Sequence, residues 1–167
     1  MHLLRSCSPI AIFVAATLSS GAVAQAKPPV ELTYEVYFGG FHIMSARAEL
    51  SSGETDYNLQ VESVSRGIAD FFVSWKGQAK SNGLFAGDKA VPAIHRNDGV
   101  WKGKTRKVDI RYAPSGEVTS YSVEPEPDLE KVNSLPENPA TGTVDPLSVI
   151  AQISGAVMRG EGCSSQF

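Results

Sequence analysis

The sequence predicts a mainly β protein: a curved antiparallel sheet of about seven strands, a partial barrel, with one C-terminal amphipathic helix packed on it. Three observations predict this. Apolar and polar residues alternate in short runs from residue 31 onward, turn-forming residues separate those runs, and one stretch near the end changes to a helical period.

Leu32, Tyr34, Val36 and Phe38 alternate with Glu31, Thr33, Glu35 and Tyr37, the pattern of a strand with one buried face. Gly39-Gly40 can adopt the positive φ angles of a two-residue hairpin turn. The return strand, residues 41–50, puts Met44, Ala46, Ala48 and Leu50 on one face. Residues 51–55 read as a turn, and Tyr57, Leu59 and Val61 begin a third strand. Residues 67–73 break the alternation, and their two phenylalanines predict a short helical turn or bulge that plugs the core. Residues 74–85 read as a fourth strand, with Trp75, Gly77, Ala79 and Ser81 on one face.

After a turn at Gly87-Asp88, a short fifth strand spans residues 91–96, with Pro92 suited to an edge or a strand start. Asn97-Asp98-Gly99 then reads as a turn. Residues 104–112 and 117–123 are the sixth and seventh strands, joined by the tight turn Ala113-Pro114-Ser115-Gly116. Residues 124–143, rich in proline and acids, read as a long surface loop. Asp145 caps the helix and Pro146 sits in its first turn. Leu147, Ile150, Ile153 and Val157 recur at helical spacing as an apolar stripe, and Gly160 closes the helix.

Residues 1–26 read as a cleavable signal peptide. Arg5 supplies a positive n-region, residues 9–18 an uncharged apolar run, and Ala24-Gln25-Ala26 the small-x-small pattern of a cleavage site after Ala26. The apolar run is about half the length of a membrane span, and nothing later is long and apolar enough to cross a bilayer. Cys7 precedes the apolar run and leaves with the peptide. The expected organisation is the signal peptide, one β-rich domain over residues 27–160, and a disordered polar tail over 161–167. Export to an oxidising compartment makes Cys163, the one cysteine of the mature chain, conspicuous for its lack of an intramolecular partner. The net charge of −3 grows more negative once Arg5 is removed, which disfavours nucleic acid as a partner.

The residues carry no catalytic signature. His42 and His95 are far apart in sequence, and no nucleophile elbow, zinc-protease helix, P-loop or dinucleotide fingerprint is present. Isolated His and Cys residues do not make a zinc site. The expectation is therefore no enzyme, no metal and no cofactor. Lys102, Lys104, Arg106 and Lys107, beside Trp101, are the densest basic cluster and suit an anionic lipid surface. Strand alternation also explains them as a solvated turn and strand face, with Glu124, Glu126, Asp128 and Glu130 as intramolecular partners. Tyr34, Phe38, Phe71, Phe72, Trp75 and Tyr112 are the candidate apolar ligand surface, set against the simpler role of filling a core.

Several segments together, TYEVYFGGFHIMSARAEL, SRGIADFF-x-x-W, VPAIHR, RKVDIRY and TVDPLSVI, resemble in order and spacing a bacterial exported family, domain of unknown function 3108. The likeness covers most of residues 31–157. It implies a curled antiparallel sheet around a helix, akin to periplasmic lipoprotein carriers, and brings no established activity or site residues. Family members continue past the helix into further strands, whereas this chain ends in GEGCSSQF, so the resemblance implies a C-terminally truncated or frame-shifted product. The functional expectation is a periplasmic protein that binds a lipid or hydrophobic envelope component without catalysis. The alternative is a structural or protein-interaction module of the cell envelope.

Overall fold

The computed structural model describes residues 28–127 and 143–161. The signal-peptide reading, most of the proline-rich loop and Cys163 lie outside the described residues.

Seven antiparallel strands form one sheet in chain order, a meander in which β1 and β7 are the edges and do not pair with each other. They are β1 (Val30–Phe38), β2 (Phe41–Ser52), β3 (Asp56–Ser65), β4 (Trp75–Ala86), β5 (Lys89–Trp101), β6 (Lys104–Tyr112) and β7 (Val118–Glu124). A short helix α1 (Gly67–Phe72) joins β3 to β4, and α2 (Pro146–Met158) follows β7. The expected open sheet with a C-terminal helix is what forms. Gly39 and Gly40, at φ 55° and 85°, make the first hairpin turn as their lack of a Cβ allows.

The strand registers run straight across the sheet and, with the alternation of each strand, define two faces. Leu50, Leu59, Ser81, His95 and Ile110 form one continuous row on the face that receives α2. Parallel rows on the same face are Leu32, Ala48, Val61, Ala79, Asn97 and Val108, then Tyr34, Ala46, Ser63, Gly77, Gly99 and Arg106. The far face is mostly polar, with Glu35, Arg47, Glu62, Lys76, Gln78 and Asp98 on consecutive strands and Val64 and Val100 among them.

The closed core is small and sits at one end of the sheet. Tyr57, Ala90 and Ala151 are its buried centre, with Leu50 and Phe85 packed against it. The Tyr57 and Phe85 rings meet with centroids 5.2 Å apart. Gly155 brings α2 close to the Phe85 ring, where an added Cβ would lie 3.6 Å away.

Four sequence expectations are corrected. β5 does not stop at residue 96: it continues through Asn97, Asp98 and Gly99 to Trp101, all of them paired with β4. The glycine serves close packing, because a Cβ on Gly99 would fall 2.6 Å from the Trp75 ring. β1 gains no buried face from its alternation, since Leu32, Tyr34 and Phe38 are 47%, 53% and 77% exposed. Pro92, by contrast, does sit near the start of β5, opposite Gly83, where that strand pairs with β4 alone. α1 does not plug the core, since Phe71 and Phe72 are 85% and 63% exposed. Finally, α2 seats only Leu147 of the predicted stripe. It buries Leu147, Ser148, Ala151, Gly155 and Ala156, and leaves Ile150, Ile153 and Val157 partly exposed. The polar groups of Asp145 and Ser148 must reach the sheet, and that requirement sets the helix rotation.

Candidate functional site

Between α2 and the opposite end of the sheet lies a strip of the α2 face that no described element covers. Its floor is made of small side chains. Ala46, Ser63, Gly77 and Gly99 form one row, and Ala48, Val61 and Ala79 the next. All but the tightly covered Gly99 are only partly buried. Leu32 and Tyr34 of β1, about half exposed, stand on one side, and Val108 of β6 on the other. The Trp75 indole lies flat across Gly77 and Gly99, and its Nε1 donates to Ser63 Oγ at 2.9 Å. A side chain on either glycine would occupy the same space as the ring. A cavity of about 180 Å³ opens beside the indole, walled by Val108, Val123 and Pro125, with Arg106 and Lys107 at its margin.

The predicted apolar set divides. Tyr34, Trp75 and Tyr112 belong to this face, with Tyr112 half-buried near the α2 cap. Phe38 is instead at the tip of the β1–β2 hairpin, and Phe71 and Phe72 meet edge-to-face on α1 with a centroid distance of 5.2 Å. The basic set divides too. Lys102 is in the β5–β6 turn with φ 50°. Arg106 lies over the Trp101 ring, 5.1 Å from its centroid, and by alternation Lys104 shares its face. Lys107 is on the far face, 3.8 Å from Glu124.

A buried polar clasp, unread in the sequence, fastens α2 to the sheet. Asp145 Oδ1 accepts from the backbone N–H groups of Leu147 (3.1 Å) and Ser148 (3.0 Å). Its Oδ2 accepts from Ser148 Oγ (2.5 Å) and Ser81 Oγ (3.0 Å). Tyr57 donates its hydroxyl to Ser148 Oγ at 2.6 Å. His95, 7% exposed, places Nδ1 3.1 Å from Asp145 Oδ1, too oblique for an aligned hydrogen bond. Burial opposes the Asp145 charge, yet the adjoining His95 and Ser148 groups outweigh it and hold the carboxyl below its ordinary range. Burial pushes the Tyr57 hydroxyl up to about 12. Tyr112 is also raised, by burial and then by the Asp145 charge.

Ser, His and Asp side chains invite comparison with a nucleophilic triad, but the connections are wrong for one. Ser81 and His95 each approach the carboxylate, whereas a triad places the imidazole between serine and acid. Ser81 and Ser148 are also fully enclosed, at 1% and 0% exposure. The clasp is a helix cap and docking device.

The far face carries a second cluster in a wider concavity of about 830 Å³ that touches β1 through β6. There His42 Nε2 contacts Glu35 Oε2, and Ser45 Oγ donates to the same carboxylate oxygen at 2.7 Å. Ser45 Oγ also lies 3.2 Å from His42 Nε2, and Arg66 Nε donates to it at 3.1 Å. The Ser45 hydrogen bond chiefly holds Glu35 below the ordinary carboxylate range, against a smaller opposing effect of burial. One imidazole nitrogen faces both serine and acid, so no proton relay runs through the ring. Gln78 Nε2 donates to Glu62 at 2.7 Å and Arg47 to Glu31 at 2.7 Å, so much of this polar surface is paired internally. No group of His, Cys, Asp and Glu among the described residues could hold a metal ion. No helix among them is long and apolar enough to cross a membrane.

The family described as "Protein of unknown function (DUF3108)" matches residues 33–165, and the chain belongs to it. No curated protein and no solved structure matches the chain.

Proposed function

We infer that this protein is an exported, periplasmic, non-catalytic binder of a lipid or another amphiphile of the cell envelope. The observation that carries the reading is the uncovered strip of the α2 face. Ala48, Val61 and Ala79, with Ala46 beside them, give it an apolar floor three strands wide. The Trp75 ring over Gly77 and Gly99 closes one end, and Leu32, Tyr34 and Val108 border it. A floor of this kind accepts a flexible hydrocarbon chain through area alone, at roughly 25 cal/mol per Å² buried. Arg106, in the same row as Gly99 and with no ion pair among the described residues, provides a cation for an acidic head group.

The test is displacement of a fluorescent fatty acid from the purified protein. Saturable binding is expected, and Ala48→Glu, which places a charge on the floor, should abolish it. Absence of binding at high micromolar probe would end the reading.

A second reading rests on the β1 edge. Among the described residues its outer side has no partner strand, and Val30, Leu32 and Tyr34 beside it are 46–53% exposed. Such an edge suits an envelope protein that adds a strand. A proline at Thr33 would block strand addition and leave acyl binding in place, which separates the two readings.

A further inference from the structure

We propose that the α1 end of the sheet docks on an anionic membrane surface. This goes beyond acyl-chain binding and stands independently of it.

Three connections meet at this end and are tied together by backbone. Arg66 N donates to Ile43 O at 2.9 Å, which fixes the start of α1 beside β2 and the β1–β2 hairpin. Lys102 N donates to Ser74 O at 3.0 Å, which fixes the β5–β6 turn beside the end of α1. The row they make is apolar and projects outward. Phe38 and Phe41 on the hairpin are 77% and 61% exposed, Ile68, Phe71 and Phe72 on α1 are 56%, 85% and 63%, and Trp101 is 42%. α1 has no buried residue at all. Large apolar side chains exposed together at one end of a sheet mark an interaction surface.

Charge and shape select the occupant. Lys102, Lys104 and Arg106 surround Trp101 and form no ion pair among the described residues, while the acid of α1, Asp70, accepts a hydrogen bond from Ser65 at 2.6 Å. The end is therefore aromatic at its crest and cationic at its side, on a chain whose net charge is −3. Aromatic rings settle at the headgroup level of a bilayer, and lysines and arginines beside them are drawn to anionic lipid. Side chains as exposed as Phe71 and Phe38 protrude, which suits a soft planar surface better than a preformed protein groove. A membrane-facing end next to the apolar strip would also let an acyl chain pass between bilayer and protein without crossing water.

The experiment is flotation of the purified protein with vesicles of phosphatidylcholine containing phosphatidylglycerol, and with vesicles of phosphatidylcholine alone, combined with light scattering of the free protein. Anionic vesicles are expected to retain at least about tenfold more protein at low salt, since each basic side chain favours anionic lipid about fivefold. The preference should fade as salt rises. Phe71→Ser with Phe72→Ser should cut binding about tenfold or more to either vesicle, and Lys102→Glu with Lys104→Glu should remove only the anionic preference. Unaltered circular dichroism would show that the variants fold, and Lys102→Gln with Lys104→Gln offers a milder check. Failure of the wild-type protein to float, or flotation untouched by the aromatic changes, overturns the proposal. A self-associated species abolished by Phe71→Ser would also overturn it and assign the patch to a second copy. Because the vesicle experiment reads the α1 end alone, its failure would leave soluble fatty-acid binding standing, and the converse also holds.

Discussion

The two ends of the sheet use the same building material in opposite ways. At the α2 end, large side chains turn inward, polar groups are buried in pairs, and residues distant in sequence are locked together: Ser148 is 91 residues from Tyr57 and 67 from Ser81. At the α1 end, the phenylalanines turn outward and the strands carry alanine, serine and glycine where a core would place leucine. One end spends its apolar surface on folding, whereas the other keeps it available. The difference puts the closed core and the exposed apolar side chains at separate ends of the sheet, so each can be altered without the other.

The largest expected effect is at the clasp. Asp145→Ala removes the α2 cap and leaves the Ser81 and Ser148 hydroxyls without their shared buried carboxylate, and should cost about 2–4 kcal/mol in urea denaturation. The lowered Asp145 pKa gives the sign of the pH dependence. Its contribution is complete above the ordinary value of 3.8 and is lost as pH falls through the folded value. The variant should therefore show a shallower loss of stability in acid.

Gly99→Val tests the boundary between the two ends. The added carbons need the space of the Trp75 ring, so the indole must lift from the sheet and its bond to Ser63. A cost of about 1–3 kcal/mol is expected, with a red shift of tryptophan emission, and Trp101→Phe in the same chain isolates the Trp75 signal.

Tyr57→Phe should cost about 1 kcal/mol at neutral pH. The raised Tyr57 pKa stabilises the fold fully below pH 10 and progressively less toward about 12. The variant should lose that alkaline component. At the bottom of the scale, Phe71→Ser should change stability by no more than about 0.5 kcal/mol, the range of surface substitutions, even though it replaces an aromatic residue. A loss of several kcal/mol there would erase the contrast between the ends.

The sequence displays local features well and distant ones poorly. The strand read from Leu32 to Phe38, the Gly39-Gly40 turn and the Asp145-Pro146 cap each depend on neighbours within a few residues and form where expected. The buried face expected of that strand does not form, because it lies at the sheet edge with Leu32, Tyr34 and Phe38 exposed. Asn97-Asp98-Gly99 has turn composition but lies inside β5, because Gly99 answers to an indole on the neighbouring strand and no local signal records that. The stripe on α2 shows the same limit. Ile150, Ile153 and Val157 have the spacing of a buried face, yet the hydroxyl of Ser148 sets the rotation through partners many residues away. Of the candidate ligand surface, Tyr34 and Trp75 were legible because strand alternation puts them on the α2 face. Phe71 and Phe72 were misplaced because helical phenylalanines look like core until their surroundings are known. The small-residue floor had a trace in the sequence: Ala46, Ala48, Gly77, Ala79 and Gly99 all occupy positions where an inward-facing strand residue is ordinarily large.

The central claim is that the uncovered α2 face holds an acyl chain, and Trp75 is the reporter already in place. In Trp101→Phe protein, a fatty acid brominated along its chain should quench Trp75 emission saturably, and an unbrominated fatty acid should reverse the quenching. Emission that is unchanged, or that declines without saturation and without competition, would contradict the account.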